Sequence, residues 1–201
     1  DITTAAGVPN DAAWSTGVSV VDINNDGLLD IYVCRVGNYK VLKGKNQLLV
    51  CTGIDEKGIP HYQEQATQYG LDFSGFSTQA AFLDYDGDGD LDVLITACGQ
   101  KPRLLRNDQS TNHHWLRVKL IGSKCNRDAI GAAVTLTAGT ISQRRLISPT
   151  RSYLSQVELP VTFGLGTTAK VDLLTVRWPD GTSTKLEQIP VDQVLVVRQD
   201  N

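Results

Sequence analysis

Apolar residues along the chain come in bursts of five to eight positions separated by Gly, Asn, Asp and Pro, and no stretch of 12 or more residues keeps a helical period. Short bursts bounded by turn residues predict β-strands. Strands are expected at 17–23, 31–36, 47–52 and 62–67, and again at 78–85, 93–98, 103–107 and 115–121. Further strands are expected at 132–138, 143–147, 156–163, 171–178 and 193–198. Turns fall at Ala138-Gly139, Gly164-Leu165-Gly166 and Pro179-Asp180-Gly181. Residues 63–69 suffice for one helical turn at most.

The first eight bursts form an internal repeat. Trp14-Ser15-Thr16 aligns with Phe76-Ser77-Thr78, Val20-Val21-Asp22 with Phe82-Leu83-Asp84, and Asp26-Gly27 with Asp88-Gly89, all at an offset of 62 residues. One unit runs from about 10 to 70 and a second from 72 to 121, whose last strand leads into the C-terminal part of the chain. Four short strands per unit is the size of a propeller blade. After residue 121 the repeat stops, and the remaining strands are most simply a β-sandwich. The expected fold is therefore all-β: two propeller-like four-stranded blades within 1–112, followed by a β-sandwich-like domain over 113–201.

Charge sharpens the picture. The chain has 201 residues and a net charge of −3, but eight of its 22 acidic side chains fall in two nine-residue windows, and the remainder carries a net +5. The windows read Asp22-Ile-Asn24-Asn-Asp26-Gly27-Leu28-Leu-Asp30 and Asp84-Tyr-Asp86-Gly-Asp88-Gly89-Asp90-Leu-Asp92. Oxygen ligands at positions 1, 3, 5 and 9, a backbone carbonyl at 7 and a Gly at 6 suit a tight loop around Ca²⁺. The expected ligands are Asp22, Asn24, Asp26, Leu28 and Asp30 in one site, and Asp84, Asp86, Asp88, Asp90 and Asp92 in the other. Plain Asp-Gly turns are the alternative, but five Asp in nine residues repel one another without a cation. The helical form of such a site is disfavoured, because position 12 holds Val33 or Ile95 in place of Glu and the flanks are strands. The second loop, richer in carboxylates, is expected to bind more tightly.

These loops, with the preceding STGVSVVD and STQAAFLD, resemble the FG-GAP/VCBS repeats of integrin-like propellers. The last part resembles the ASPIC/UnbV domain of cartilage-acidic-protein relatives, through residues 123–132, Ser152-Tyr153-Leu154-Ser155-Gln156, Phe163-Gly-Leu-Gly166 and Val176-Arg-Trp178-Pro179-Asp180-Gly181. The resemblance implies calcium-binding blades and an extracellular setting. It departs from the family in blade number, since family propellers close with about seven and this chain has two.

Other motifs carry less. Gly164-Leu-Gly166-Thr-Thr-Ala169 is followed by a strand where the dinucleotide fingerprint needs a helix. His61, His113 and His114 are scattered, and no G-x-S-x-G elbow occurs, so no enzyme is expected. Arg103, Arg106, Arg144 and Arg145 suit either a sulfated glycan or solvated strand faces, and Trp14, Trp115 and Trp178 either sugar stacking or core. Cys34, Cys51, Cys98 and Cys125 contain no C-x-x-C pair. The expected disulfides are Cys34 with Cys51 and Cys98 with Cys125, with free buried thiols as the alternative. No N-x-S/T sequon is present.

Two blades leave sheet edges to be covered. The expected function is that of a secreted or cell-surface, Ca²⁺-rigidified structural module that acts by protein association, with self-assembly into an oligomer or filament as its expected form. A monomeric carbohydrate-binding or matrix-adhesion module is the alternative. Neither nucleic acid nor a membrane span is expected from the net charge and from the absence of a run of roughly 20 apolar residues. With Asp1 first and no basic and apolar leader before it, the sequence reads as a mature or excised chain.

Overall fold

The computed structural model describes all residues except Ala12, Ser110, Tyr153 and Asn201. Tyr153, one of the residues carrying the ASPIC/UnbV resemblance, lies outside the described set. Among the described residues there are strands and turns and no α-helix.

The N-terminal half holds β1 (Ser15–Val21), β2 (Asp30–Arg35), a small hairpin of β3 (Gly37–Tyr39) and β4 (Leu42–Lys43), β5 (Gln47–Ile54) and β6 (Pro60–Glu64). These are followed by β7 (Ser77–Leu83), β8 (Asp92–Ala97) and β9 (Arg103–Leu105). The C-terminal half holds β10 (His114–Ile121), β11 (Ala133–Ala138), β12 (Ile141–Leu146), a second small hairpin of β13 (Thr150–Arg151) and β14 (Ser155–Gln156), and β15 (Val161–Gly166). It ends with β16 (Lys170–Arg177), β17 (Ser183–Pro190) and β18 (Gln193–Arg198). Four main sheets result, in orders β1-β2-β5-β6, β7-β8-β9, β15-β10-β18 and β12-β11-β16-β17, and none closes into a barrel.

Alternation explains the two N-terminal sheets. In β1 every second residue is buried from Gly17 onward, and Val21, Tyr32, Leu48 and Val50 of the first sheet meet Ala80, Phe82, Val93 and Ile95 of the second in one core. Tyr32 and Phe82 meet edge to face, with ring centres 5.8 Å apart. The repeat is visible in the pairing: β1 runs antiparallel to β2 as β7 does to β8, with Val21↔Asp30 matched by Leu83↔Asp92 at the 62-residue offset.

One expected element sits elsewhere. The strand assigned as the fourth of the 72–121 unit is β10, and it does not join β7-β8-β9. It pairs antiparallel with β15 and parallel with β18. Leu116, Val118 and Leu120 point from it into the C-terminal core beside Phe163, Leu165, Val134, Leu136, Leu174 and Val176. An apolar row this regular is satisfied by sheet neighbours on both sides and a dry face, and the C-terminal half provides both. The two C-terminal sheets enclose that core between them, and Trp178 closes it with its indole N–H on Thr184 Oγ1 at 2.9 Å.

The expected disulfides are also corrected, because all four cysteines are free. Extending the register Ile31↔Leu49, Cys34 falls opposite Asn46, five residues short of Cys51. Five residues of strand is roughly 17 Å, against a limit of about 7 Å between the Cα atoms of a bridge. Adjacent strands therefore carry the two thiols at opposite ends. Cys98 is exposed beyond the end of β8, six residues from Asp92, whereas Cys125 packs against the C-terminal core.

Candidate metal centre

Each acidic window is the loop that joins the first strand of a sheet to its neighbour, β1 to β2 and β7 to β8. The Gly at position 6 has φ of +92° in Gly27 and +95° in Gly89, a conformation that a side chain opposes. Carboxylates inside the loop take up its backbone N–H groups. Asp22 Oδ2 accepts from Gly27 N at 3.0 Å and Asp26 Oδ1 from Leu28 N at 2.7 Å. Asp84 Oδ1 accepts from Gly87 N at 2.8 Å and Asp88 Oδ1 from Asp90 N at 2.9 Å.

Position 9 has the same role in both loops. Asp30 accepts from Ile23 N at 2.9 Å and from Cys51 N at 2.8 Å; Asp92 accepts from Tyr85 N at 2.9 Å and from Asn107 N at 2.8 Å. Each buried carboxylate thus staples the second residue of its own loop to a segment beyond it. Position 7 differs between the loops: Leu28 offers no side-chain oxygen, and the Asp90 carboxylate turns to Asn25 Nδ2 of the first loop at 2.8 Å. The two loops are thereby tied to each other.

The residues fit a cation best in the second loop. Oxygens of Asp84, Asp86 and Asp88 lie within 4.8 Å of one another, which is the convergence that Ca²⁺, with its six to eight oxygen ligands, requires. In the first loop Asn24 stands where the second has Asp86, and its Nδ2 donates to Asp26 Oδ2 at 2.9 Å.

The C-terminal half covers the first loop and touches one side of the second, whose Asp86 and Asp88 stay exposed, an arrangement that nothing in the sequence announces. Gly164 of β15 lies on the first loop: a Cβ there would stand 2.5 Å from Asn25 Cα and would overlap Asp22 Oδ2. Gly166 N donates to Asn25 O at 2.9 Å, Gln143 Nε2 to Gly164 O at 2.6 Å, and His113 Nδ1 to Asn24 O at 2.8 Å. On the second loop the Trp115 indole lies against Gly89 with no room for a Cβ. Glu158 Oε1 accepts from Asp84 N at 3.1 Å. Arg117 Nη1 lies 3.3 Å from Asp84 Oδ2, with side chains 7% and 2% exposed, and Arg117 Nη2 pairs with Glu158. Each position-1 aspartate therefore faces an arginine of the C-terminal half, Asp84 facing Arg117 and Asp22 facing Arg145.

Burial dominates the electrostatics. It pushes Asp22 from the usual 3.8 up to about 7, with Asp26 and Asp30 adding to the rise while the Gly27 N–H and Arg145 oppose it. Asp30 is raised to about 6 by burial, and Asp90 to about 6 by burial and then by Asp88. A carboxyl whose folded pKa is raised favours the folded state while protonated and withdraws that stability as pH rises through the folded value. Asp11, Asp72 and Asp180 shift the other way, so their contribution is lost only as pH falls below the usual carboxyl range. Calcium-free chain is therefore expected to melt higher at pH 5 than at pH 7.5, and saturating Ca²⁺ to flatten that slope by neutralising the ionised loops. Calorimetry of metal-stripped protein at both pH values checks this, and equal midpoints without calcium would contradict it.

The other expected site residues are dispersed. Arg103 lies over the Phe73 ring at 3.8 Å, Arg106 pairs with Asp108 at 2.6 Å, Arg144 is exposed and Arg145 faces Asp22, so no common basic patch forms. Trp178 is core and Trp115 covers the second loop, leaving Trp14, 60% exposed, as the open indole. His113 belongs to the joint, and His114 pairs with Asp192 at 2.7 Å.

Residues 122–201 match the family described as ASPIC and UnbV. This part of the chain resembles an ASPIC and UnbV domain. The match starts immediately after β10, the strand that completes the central sheet of the same half. The chain is also homologous to cartilage acidic protein 1: it is 30% identical to the Homo sapiens protein over 168 residues, and 29% identical to those of Xenopus tropicalis and Mus musculus. The aligned part is 82% of this chain and 25% of each relative, so the chain spans about a quarter of their length. No helix among the described residues is long and apolar enough to cross a membrane.

Proposed function

We propose that the chain is a non-catalytic, extracellular, calcium-binding structural module, in which Ca²⁺ held by Asp84, Asp86 and Asp88, and by the first loop around Asp22, Asn24 and Asp26, stiffens the joint between the N-terminal repeats and the ASPIC and UnbV domain. The observation that carries this reading is the position of the loops: both acidic windows touch the C-terminal half, through Arg117 on Asp84 and Gly164 on Asp22 and Asn25. When bound, the ion would supply charge neutralisation and a fixed loop geometry. The repeats act as FG-GAP/VCBS-like blades in this reading, with 1–112 and 113–201 as the two units. The relatives' name places that protein in cartilage and calls it acidic, which supports an extracellular setting for this chain.

Association with further copies or other extracellular proteins completes the proposal. β18 pairs on one side with β10, has no sheet partner on the other among the described residues, and shows Val194 and Val196 about half exposed. An open edge with alternating apolar side chains is suited to strand addition.

The test is Asp88→Ala. If the calcium concentration exceeds Kd by about 100-fold, binding stabilises by about 2.7 kcal/mol, or about 5–10 °C in thermal midpoint for a chain of this size. The variant is expected to lose that amount in millimolar Ca²⁺ and almost nothing in EGTA; equal losses in both would remove Asp88 from the ligand set. Light scattering in the same two buffers reads association, with a mass above one 21.9 kDa chain in Ca²⁺ expected to fall in EGTA.

A further inference from the structure

At the end of the first sheet remote from the acidic loops lies a cleft of about 480 Å³, a size typical of small-molecule sites. Arg35, which ends β2, forms part of its wall. Five residues of strand, roughly 17 Å, separate it from Asp30. The residue is 7% exposed and firmly held. Its backbone N–H donates to Asn46 Oδ1 at 2.9 Å, Asn46 Nδ2 donates to Tyr32 Oη at 2.9 Å, and Tyr32 Oη–H donates to Leu71 O at 2.8 Å. The guanidinium gives Nη1 to Asp11 Oδ2 at 2.7 Å, while its buried Nε has no hydrogen-bond partner among the described residues. A buried donor without a partner is costly, and native proteins commonly complete it with water or a ligand.

The charges around the cleft define what would complete it. Lys45 is spent on Asp72 at 2.7 Å, and Glu64 Oε1 accepts the N–H groups of Leu48 and Ala66. Lys43 is exposed and makes no ion pair among the described residues. Lys43 keeps its ammonium and Arg35 keeps the guanidinium donors beyond its Nη1–Asp11 bond, set among Asp11, Glu64 and Asp72, whose carboxylates already accept one or two bonds each within the chain. A guanidinium beside an ammonium suits a carboxylate. An acidic peptide would bring several carboxylates towards the three already there and be repelled. A sugar acid would bring one carboxylate for the cations and hydroxyl donors for Asp11, Glu64 and Asp72. No aromatic ring lines the cleft among the described residues, so recognition runs through polar groups and not through stacking.

The geometry points to a site for a carboxylated sugar, a hexuronic acid free or within an oligosaccharide, with its carboxylate between Arg35 and Lys43. This site is separate from the calcium loops. Full-length chain is titrated calorimetrically, in EGTA so that failure bears on the cleft alone, with glucuronic acid, a glucuronic-acid-containing oligosaccharide, glucose and oligoglutamate. One or both acidic sugars are expected to bind and glucose and oligoglutamate not to; the monosaccharide against the oligosaccharide tells whether a free or a chain-borne acid is preferred. Lys43→Glu, at an exposed position that leaves the thermal midpoint unchanged, is expected to weaken binding at least about tenfold. No binding of either acidic sugar, binding of glucose or oligoglutamate as tight as theirs, or an unaffected Lys43→Glu variant would overturn the assignment.

Discussion

Arg117→Met is expected to cost the calcium-free chain about 3–5 kcal/mol, the range for removing one partner of a buried ion pair, seen as a fall in thermal midpoint of about 6–20 °C. Arg117 is the cation shared by Asp84 and Glu158, and Thr162 Oγ1 accepts a further bond from its Nη1 at 3.1 Å. Methionine fills similar space and leaves two carboxylates facing each other without a counter-charge. Calcium at Asp84 would supply positive charge from the other side, so the loss is expected to shrink in millimolar Ca²⁺. A double-mutant cycle with Asp84→Asn isolates the pair. A loss below about 1 kcal/mol in EGTA, as is typical of exposed pairs, would show that Arg117 does not clamp the loop.

Gly164→Ala is expected to separate the two halves. Its methyl group would enter space already held by Asn25 Cα and Asp22 Oδ2, and the Asn25 backbone is fixed by Gly166 N. Forced overpacking of this kind costs about 1–3 kcal/mol and occasionally more; with main chain on both sides the upper end is expected, about 3 kcal/mol. The C-terminal half keeps its own core in the variant, so calorimetry should resolve two transitions in place of one, and protease should cut between β9 and β10 faster. Gly139→Ala is the control. Gly139 also has positive φ, +58°, but open space around it, so backbone strain costs it about 1 kcal/mol without splitting the transition.

Strand positions and the paired loops were legible because they are local. Alternation in 15–21 and the nine-residue acidic spacing each declare themselves within one turn or strand, and the 62-residue offset matches identical bonding of Asp30 and Asp92. Partners of those loops were not legible. Arg117, Gly164, Trp115 and Glu158 lie 26 to 142 residues from the loop residues they meet, and nothing local distinguishes an arginine that will face a carboxylate from one that will face water. For the same reason β10 is legible as a strand but not by its sheet, since an apolar row does not name its neighbours. Strands β3, β4, β13, β14 and β17 escape a reading of the sequence: the first four are two or three residues long, and β17 is a polar edge strand with Lys185, Glu187 and Gln188 exposed. The Cys34 and Cys51 pairing failed on register, which sequence spacing does not contain.

The parallel pairing of β10 with β18 sets an order of events during synthesis. About 70 residues separate the two strands, and a parallel partner of that kind joins only after the intervening chain is in place. While the ribosome is still adding those residues, the N-terminal sheets can already form, but the platform bearing Trp115 and Arg117 lacks one flank. Asp22, Asp84 and their neighbours therefore spend the interval in water, ionised and uncovered, and meet whatever cations the compartment contains before their lid arrives. A chain arrested just before residue 114, which lacks Trp115, Arg117, Glu158 and Gly164, would report the affinity of the bare loops.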